Sequence, residues 1–183
     1  WLLAHSPFWP LPGTLFAVYI ACGLAWRANQ VAAAHLATIE ALALAIDAKD
    51  QTAPYHIRRV QVYASGLSRE LGMSPHDIQG VKVAALLHDI GKLAVPDHIL
   101  AKPGALTPEE FQKVRIHPRV GAAIIGHVPF PYVVAPFILN HHERWDGRGY
   151  PEGLRERQIP LGARILSIVD YFDALTSERP YHQ

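Results

Sequence analysis

The sequence predicts an all-α fold, on three observations. No segment reads as a credible strand, apolar positions recur at three and four from residue 28 onward, and Ser74 and Thr107 each open a complete helix-start signal. With 183 residues and an apolar fraction of 50%, one domain with an appendage is expected. Seventeen basic and sixteen acidic residues leave a formal net charge of +1, which gives no global field for a nucleic acid polymer. Any anionic ligand must therefore be recognised by a local site. The single Cys22 excludes a disulfide framework and a thiolate zinc site, and it fits a reducing compartment. Eleven His is a high count for this length and is the compositional clue to follow.

Residues 1–27 are expected to form an apolar, membrane-spanning segment. Residues 1–26 hold no Lys, Arg, Asp or Glu, and Leu11 to Trp26 is an apolar run. Trp9, Tyr19 and Trp26 stand where an interfacial belt would place aromatics, and Arg27 is the positive flank that marks the cytoplasmic side. Pro10, Pro12 and Gly13 are expected to shorten the clean helix to about 14 residues, short of the roughly 20 of a full span. A buried or partner-packed leader helix is the competing reading. No basic region precedes the run, which disfavours a cleavable signal peptide. The chain opens on Trp1 rather than Met, so a fragment or a processed form is expected.

Residues 28–48 follow as a helical stalk and domain entry, with Ala33, Leu36, Ile39, Leu42, Ala43 and Ile46 on one face and no Gly or Pro. The stretch 50–55 breaks this helix. His56 opens another, through Val60, Tyr63, Ala64 and Leu67 to Leu71, closed by Gly72. Ser74-Pro75-His76-Asp77 supplies an N-cap, a Pro at the first position and an acid at the third. The helix it starts is expected to run through Val81, Ala84 and Ala85 to His88-Asp89, with Gly91 near its end. Thr107-Pro108-Glu109-Glu110 is a capping box, and its helix is expected to stop at His117-Pro118. A short helical run over 119–127, a Pro-rich break and a helix over 133–142 follow. Residues 143–160 read as loop, and a last helix spans 162–175 with Asp170 and Asp173 embedded in it.

Two His-Asp pairs occur, at His76-Asp77 and His88-Asp89. With 11 His and 8 Asp, chance alone supplies about half of such a dipeptide, so the pair proves nothing without partners. Helix capping and the helix dipole account for His76-Asp77. His88-Asp89 stands instead at the apolar end of its helix, where a buried polar group needs a reason. On a helix Lys92 would lie over both residues. His56, His88, Asp89, His117, His141, His142 and Asp170 all fall near helix ends or inside apolar segments, outside obvious caps. Five imidazoles and two carboxylates without a thiolate suit a pair of octahedral first-row ions such as iron or manganese, with zinc possible. Asp89 could bridge two ions while His88 binds one. Neutral imidazole ligands preserve the positive charge of such a site, which would attract a phosphodiester and activate water at neutral pH. Lys92 would then contact a phosphate oxygen or steady the leaving group. Asp89 and Lys92 are the residues expected to carry catalysis.

HDIGK at 88–92, HHERWDGRGYP at 141–151 and DALTSERPY at 173–181, in this order, resemble the HD-GYP family of bacterial cyclic di-GMP phosphodiesterases. The likeness also covers KDQTAPYH at 49–56 and VPDHILAKPGALTPEE at 95–110. It implies an HD-domain helical bundle with a dinuclear metal site over residues 49–183, truncated at its C-terminal side, behind the apolar helix and stalk. It implies metal ligation by His56, His88, Asp89, His117, His141, His142 and Asp170. Two divalent ions are expected, iron or manganese first, with zinc, nickel, cobalt or magnesium possible. A third is disfavoured, because Thr52 stands where three-metal members resemble one another in a Glu. Lys92, Tyr150 and Arg179 match the phosphate-binding residues. Arg144, Asp146, Gly147, Gly149, Tyr150 and Pro151 match the GYP loop, which shapes the substrate entrance and serves as a contact for diguanylate cyclase (GGDEF) domains.

The resemblance thus implies hydrolysis of cyclic di-GMP to linear pGpG, with GMP as a further product. A phosphohydrolase for another cyclic dinucleotide or a nucleotide, and a non-catalytic nucleotide- or cyclase-binding module, are the alternatives. It places the chain in the bacterial inner membrane with its catalytic domain in the cytoplasm, or wholly in the cytoplasm if the first segment does not span. The N-terminal helix is a candidate homodimer contact.

Overall fold

The computed structural model describes residues 11–50 and 55–177. Every regular element among them is helical, with no strand. The chain divides into two compact units between Thr38 and Ile39. Helix α1, Leu11–Asp50, contributes to both. It takes in Pro12 and Gly13, which were expected to delay the helix. A proline in the first turn lacks only an N–H that has no intrahelical partner in any case. In the first unit the apolar side chains of α1 face outward, among them Leu15, Phe16, Tyr19, Leu24 and Trp26. Pro12–Ile46 is long and apolar enough to cross a membrane by length and composition.

The second unit is built on α2 (His56–Glu70), α3 (Pro75–Leu87), α7 (Ala135–Leu139) and α8 (Leu161–Thr176). Their shared core includes Val60, Ala64, Val81, Ala84, Ile138, Ile165 and Leu166, with Ala43 and Ile46 from the end of α1. Each fully buried Val, Leu or Ile there contributes roughly 1.5–3 kcal/mol by removal from water. The buried face of α2 also carries Ser65 and Ser68, whose hydroxyls donate to the carbonyls of Gln61 and Ala64, each 2.7 Å away. Tyr63 turns partly outward instead of joining the core.

The two capping signals act as read. Ser74 Oγ accepts from Asp77 N at 3.1 Å, and Thr107 and Glu110 close a reciprocal capping box on α5 (Pro108–Val114). His76 Nε2 meets the Pro131 carbonyl at 2.7 Å. Three boundaries differ from expectation. Helix α3 ends at Leu87, so His88 caps it and Lys92 lies in a 3-10 turn, Ile90–Ala94. Helix α6 (His117–Gly126) begins at His117, where a stop was expected, because Pro118 occupies its first turn. Helix α7 covers only Ala135–Leu139 of the expected 133–142, which leaves His141 and His142 in the turn beyond it. Residues 97–100 form a short helix α4, and 156–158 form a 3-10 turn within the stretch expected to be loop.

Candidate metal centre

The site is assembled from helix ends. His88 caps the C-terminus of α3, His117 opens α6 two residues after the cap of α5, and His141 and His142 follow α7. His56 opens α2, and Asp170 projects from α8. Two groups form, His56–His88–Asp170 and His117–His141–His142, and within each the potential ligand atoms lie within 4.8 Å of one another. Asp89 stands between them. Its Oδ2 is 3.3 Å from His88 Nε2 and its Oδ1 is 3.4 Å from His117 Nε2, so each oxygen addresses a different group. All seven expected ligands therefore converge.

The imidazoles are oriented by the backbone. His88, His117 and His141 each place Nδ1 on the carbonyl three residues earlier, Ala85 at 2.9 Å, Val114 at 2.8 Å and Ile138 at 2.6 Å. A carbonyl only accepts, so each Nδ1 carries the hydrogen. In the neutral rings this makes Nε2 a lone pair. His117 Nε2 and His141 Nε2 then face each other at 3.4 Å, acceptor to acceptor. His88 Nε2 is buried and faces Asp89 Oδ2 at 3.3 Å. The facing lone pairs of His117 and His141 repel one another, and a divalent cation would relieve that cost. The donor set fits a nitrogen- and oxygen-ligated ion.

Protonation follows the same geometry. Burial lowers the His88 pKa, but the charge and hydrogen bond of Asp89 outweigh it and bring it to about 9. Burial also opposes ionisation of Asp89, while His88 and Lys92 hold its carboxyl well below the ordinary range. His141 is held well below the usual imidazole range by burial and by His142, and His142 is lowered to about 3 by burial and by His117. Lys92 Nζ donates to Asp89 Oδ2 at 2.8 Å. The 3-10 turn keeps the two side chains three residues apart on one side, although no α-helix is present there. Gly91 makes the turn possible. A Cβ there would strike the His117 carbonyl oxygen and lie 2.6 Å from Gly121 N, so only glycine lets the turn pack against α6.

Tyr150 stacks on His142, with ring centroids 4.8 Å apart, and the Arg115 guanidinium lies 4.7 Å from the centroid of the Tyr150 ring. Burial raises its pKa to about 12, so it remains a neutral phenol. Gly149 touches the backbone of Glu143 and Arg144 where a Cβ would not fit, and Gly147 adopts φ 75°. Pro151 follows, its carbonyl accepting from Arg119 Nη2 at 3.2 Å. Arg144 and Asp146 are not brought to the ligands. They pair with each other at 2.8 Å and line an apolar groove of about 630 Å³ with Leu67, Leu71, Trp145 and Ile168. Arg179 and Thr52 lie outside the described residues.

Sequence reading passed over two buried carboxylates. Glu143 accepts from the backbone N–H groups of Glu152, Gly153 and Leu154 at 2.6, 3.0 and 3.1 Å, and so ties the loop after Pro151 to the turn that carries His141 and His142. Asp173, one turn after Asp170, is buried against His56 and Arg59. Its place one turn after a candidate ligand and at the head of the DALTSERPY motif hinted at a role.

Helical architecture and a histidine-aspartate centre define a class, and residues 40–183 match the family model described as HD domain. The chain belongs to the HD domain family. It is 43% identical over 145 residues to a cyclic di-GMP phosphodiesterase of Thermotoga maritima, covering 78% of this chain and 39% of that protein. The cyclic di-GMP phosphodiesterase response regulator RpfG of Xanthomonas campestris is 41% identical over 157 residues, covering 85% of this chain and 42% of that protein. A 3'3'-cGAMP-specific phosphodiesterase of Vibrio cholerae is 41% identical over 136 residues, covering 74% and 30%. The chain thus spans well under half the length of these relatives. A solved cyclic GMP-AMP specific phosphodiesterase of V. cholerae shares the fold, with a TM-score of 0.59 at 20% identity over 75% of this chain and 40% of that one. These matches bear out the resemblance drawn from the three motifs.

Proposed function

We propose that this chain is the hydrolytic part of a metal-dependent phosphodiesterase that opens cyclic di-GMP to linear pGpG. The observation that carries the reading is Asp89 set between two ligand groups, each of its oxygens addressed to one of them. His56, His88 and Asp170 would hold one divalent ion and His117, His141 and His142 the other, with Asp89 shared. Iron or manganese suits this donor set best. When bound, such a pair activates water and polarises a phosphoryl oxygen. The protein's own groups do the rest. Backbone carbonyls hold the imidazoles of His88, His117 and His141 with Nε2 inward, and Lys92, paired with Asp89, would bring its positive charge to a phosphate oxygen. Tyr150 presents a neutral phenol beside His142, and Arg179 supplies a second cation for the substrate.

The organisation that goes with this reading is an apolar segment, 1–27, anchored in the bacterial inner membrane, a stalk, 28–48, and a cytoplasmic catalytic domain, 49–183. Pairing of two chains through the N-terminal helix, and contact of the GYP loop with a diguanylate cyclase domain, belong to the same proposal. Relatives named for 3'3'-cGAMP favour a second reading in which that dinucleotide is the preferred substrate. Anaerobic reconstitution with Fe(II) or Mn(II), followed by side-by-side turnover of both dinucleotides and of pGpG, decides between them. Linearised cyclic di-GMP, lost in Asp89→Ala together with metal, is the expected result. A doubly loaded protein that leaves both dinucleotides intact would sink the phosphodiesterase reading and leave a binding module.

A further inference from the structure

Four site histidines have a described Nδ1 partner, and one differs from the rest. His88, His117 and His141 donate to a carbonyl three residues earlier, at the C-terminal end of α3, α5 and α7. The last four carbonyls of a helix lack intrahelical partners, so such an end is a ready acceptor for a ring N–H. His56 begins a helix instead of following one. Its Nδ1 meets Asp173 Oδ2 at 2.8 Å, and its Nε2 points toward Asp170 Oδ1 at 3.6 Å. One helix, α8, therefore bonds one nitrogen of His56 and faces the other, from positions three residues apart.

Asp173 is itself held in place. Arg59, one turn after His56 on α2, donates from Nε to Oδ1 at 2.6 Å and from Nη2 to Oδ2 at 3.0 Å. The guanidinium fork fixes the plane of the carboxylate, which is 1% exposed. An ionised carboxylate only accepts, so Nδ1 of His56 must carry the hydrogen, which in the neutral ring leaves the lone pair on Nε2. We infer that Asp173 is a positioning residue for the candidate metal centre: it sets the tautomer and ring plane of His56, in the role that helix-end carbonyls play for His88, His117 and His141. Its charge also makes His56 a stronger donor than a carbonyl would, while Arg59 prevents that charge from adding to the site. The inference rests on the proposed metal centre and not on the identity of the substrate.

The test uses the full chain with Asp173→Ala, Asp173→Asn and Arg59→Met. Mn(II) titration of the metal-stripped protein, without nucleotide, should show the His117–His141–His142 equivalent at wild-type affinity in Asp173→Ala. The other equivalent should weaken on the order of ten- to a hundredfold. Asp173→Asn keeps an acceptor oxygen and should recover part of that loss. Arg59→Met keeps the His56–Asp173 bond and should lose less than Asp173→Ala. Imidazole ¹⁵N shifts of the metal-free protein give a second readout: His56 in the wild type should carry its hydrogen on Nδ1, and in Asp173→Ala should populate both tautomers. Should Asp173→Ala fail to fold, Asp173→Asn and Arg59→Met still order the effects. Two wild-type metal affinities in Asp173→Ala or Asp173→Asn, or a wild-type His56 with its hydrogen on Nε2, would overturn the inference. A wild type that binds two ions but hydrolyses no dinucleotide would overturn the proposed substrate and leave the role of Asp173 standing.

Discussion

Gly91→Ala should separate the two halves of the candidate centre. A Cβ at this position would sit 2.6 Å from Gly121 N and 2.7 Å from the carbonyl carbon of His117, besides its collision with the His117 oxygen. Ordinary van der Waals contact begins near 3.4 Å, so the Gly121 N contact alone requires the 3-10 turn to retreat from α6 by roughly 0.8 Å, and the His117 oxygen requires more. The obstacles are backbone atoms, which no rotamer change can move. Overpacking of this kind costs about 3 kcal/mol, the upper end of the usual range. For a chain of this size that lowers Tm by about 6–12 °C. The same retreat carries Asp89 away from His117, so Mn(II) affinity should fall together with stability. Gly66→Ala is the control. Nothing lies within 4 Å of a Cβ there, and the position is inside α2, so alanine should stabilise by about 1 kcal/mol. Thermal melts and Mn(II) titrations of the two variants provide the comparison. A Gly91→Ala protein that melts with the wild type and binds metal normally would refute the close seam between the turn and α6.

Three further outcomes follow from the site. His88, with its pKa near 9, is protonated at pH 7.5, so binding of a divalent ion should release roughly one proton per chain from it; calorimetry in buffers of different ionisation enthalpy would reveal this, and a buffer-independent heat would contradict it. For the metal-free protein, His142 near 3 lies below its unfolded value of 6.5, so the unfolded chain takes up more protons between those pH values. Stability is then full above pH 6.5 and falls as the pH drops, by about 1.4 kcal/mol per unit for this residue, which melts between pH 7 and 4.5 would detect. His88 acts in the opposite sense, its contribution fading as the pH rises through 9. Glu143→Gln exchanges one accepting oxygen for an amide donor facing backbone N–H groups, at about 1.5–3 kcal/mol for each charge-assisted bond lost. The amides of Glu152, Gly153 and Leu154 should then exchange faster with solvent, and unchanged protection would remove Glu143 from this role.

The helices were legible where a side chain announces their start. Ser74 and Thr107 cap as read, since an oxygen ahead of a Pro and an acid has one economical use. The start of helix α6 lies two residues before the expected 119 because its N-cap is Ile116, which offers no side-chain bond, so His117-Pro118 reads as an ending. The same Pro rule applied in both places, and only the polar cap differed. Helix α1 runs through Pro12 for a related reason, the first turn being the one place where proline costs little. Helix α7 stops early at Asn140, whose Nδ2 donates to the Pro136 carbonyl at 3.0 Å, four residues back. A helical period in the sequence does not reveal such a side-chain closure.

At the centre, residue types pointed to ligands, but sequence alone could not say which nitrogen each histidine presents. That choice depends on where a ring lies relative to a helix end. Just past a C-terminus, unpaired carbonyls draw Nδ1–H backward and leave Nε2 facing inward. Three helices end next to the site, and each supplies one histidine held in this way. A histidine at a helix start has no such carbonyl behind it and needs an acceptor from another element. This explains why Asp173 was passed over: its partner lies 117 residues away in the chain, and the need for it arises only once His56 is placed at the first turn of α2. The four candidate ligands His56, His88, His117 and His141 thus follow one rule, that a nitrogen turned inward goes with an acceptor for the hydrogen on the opposite nitrogen.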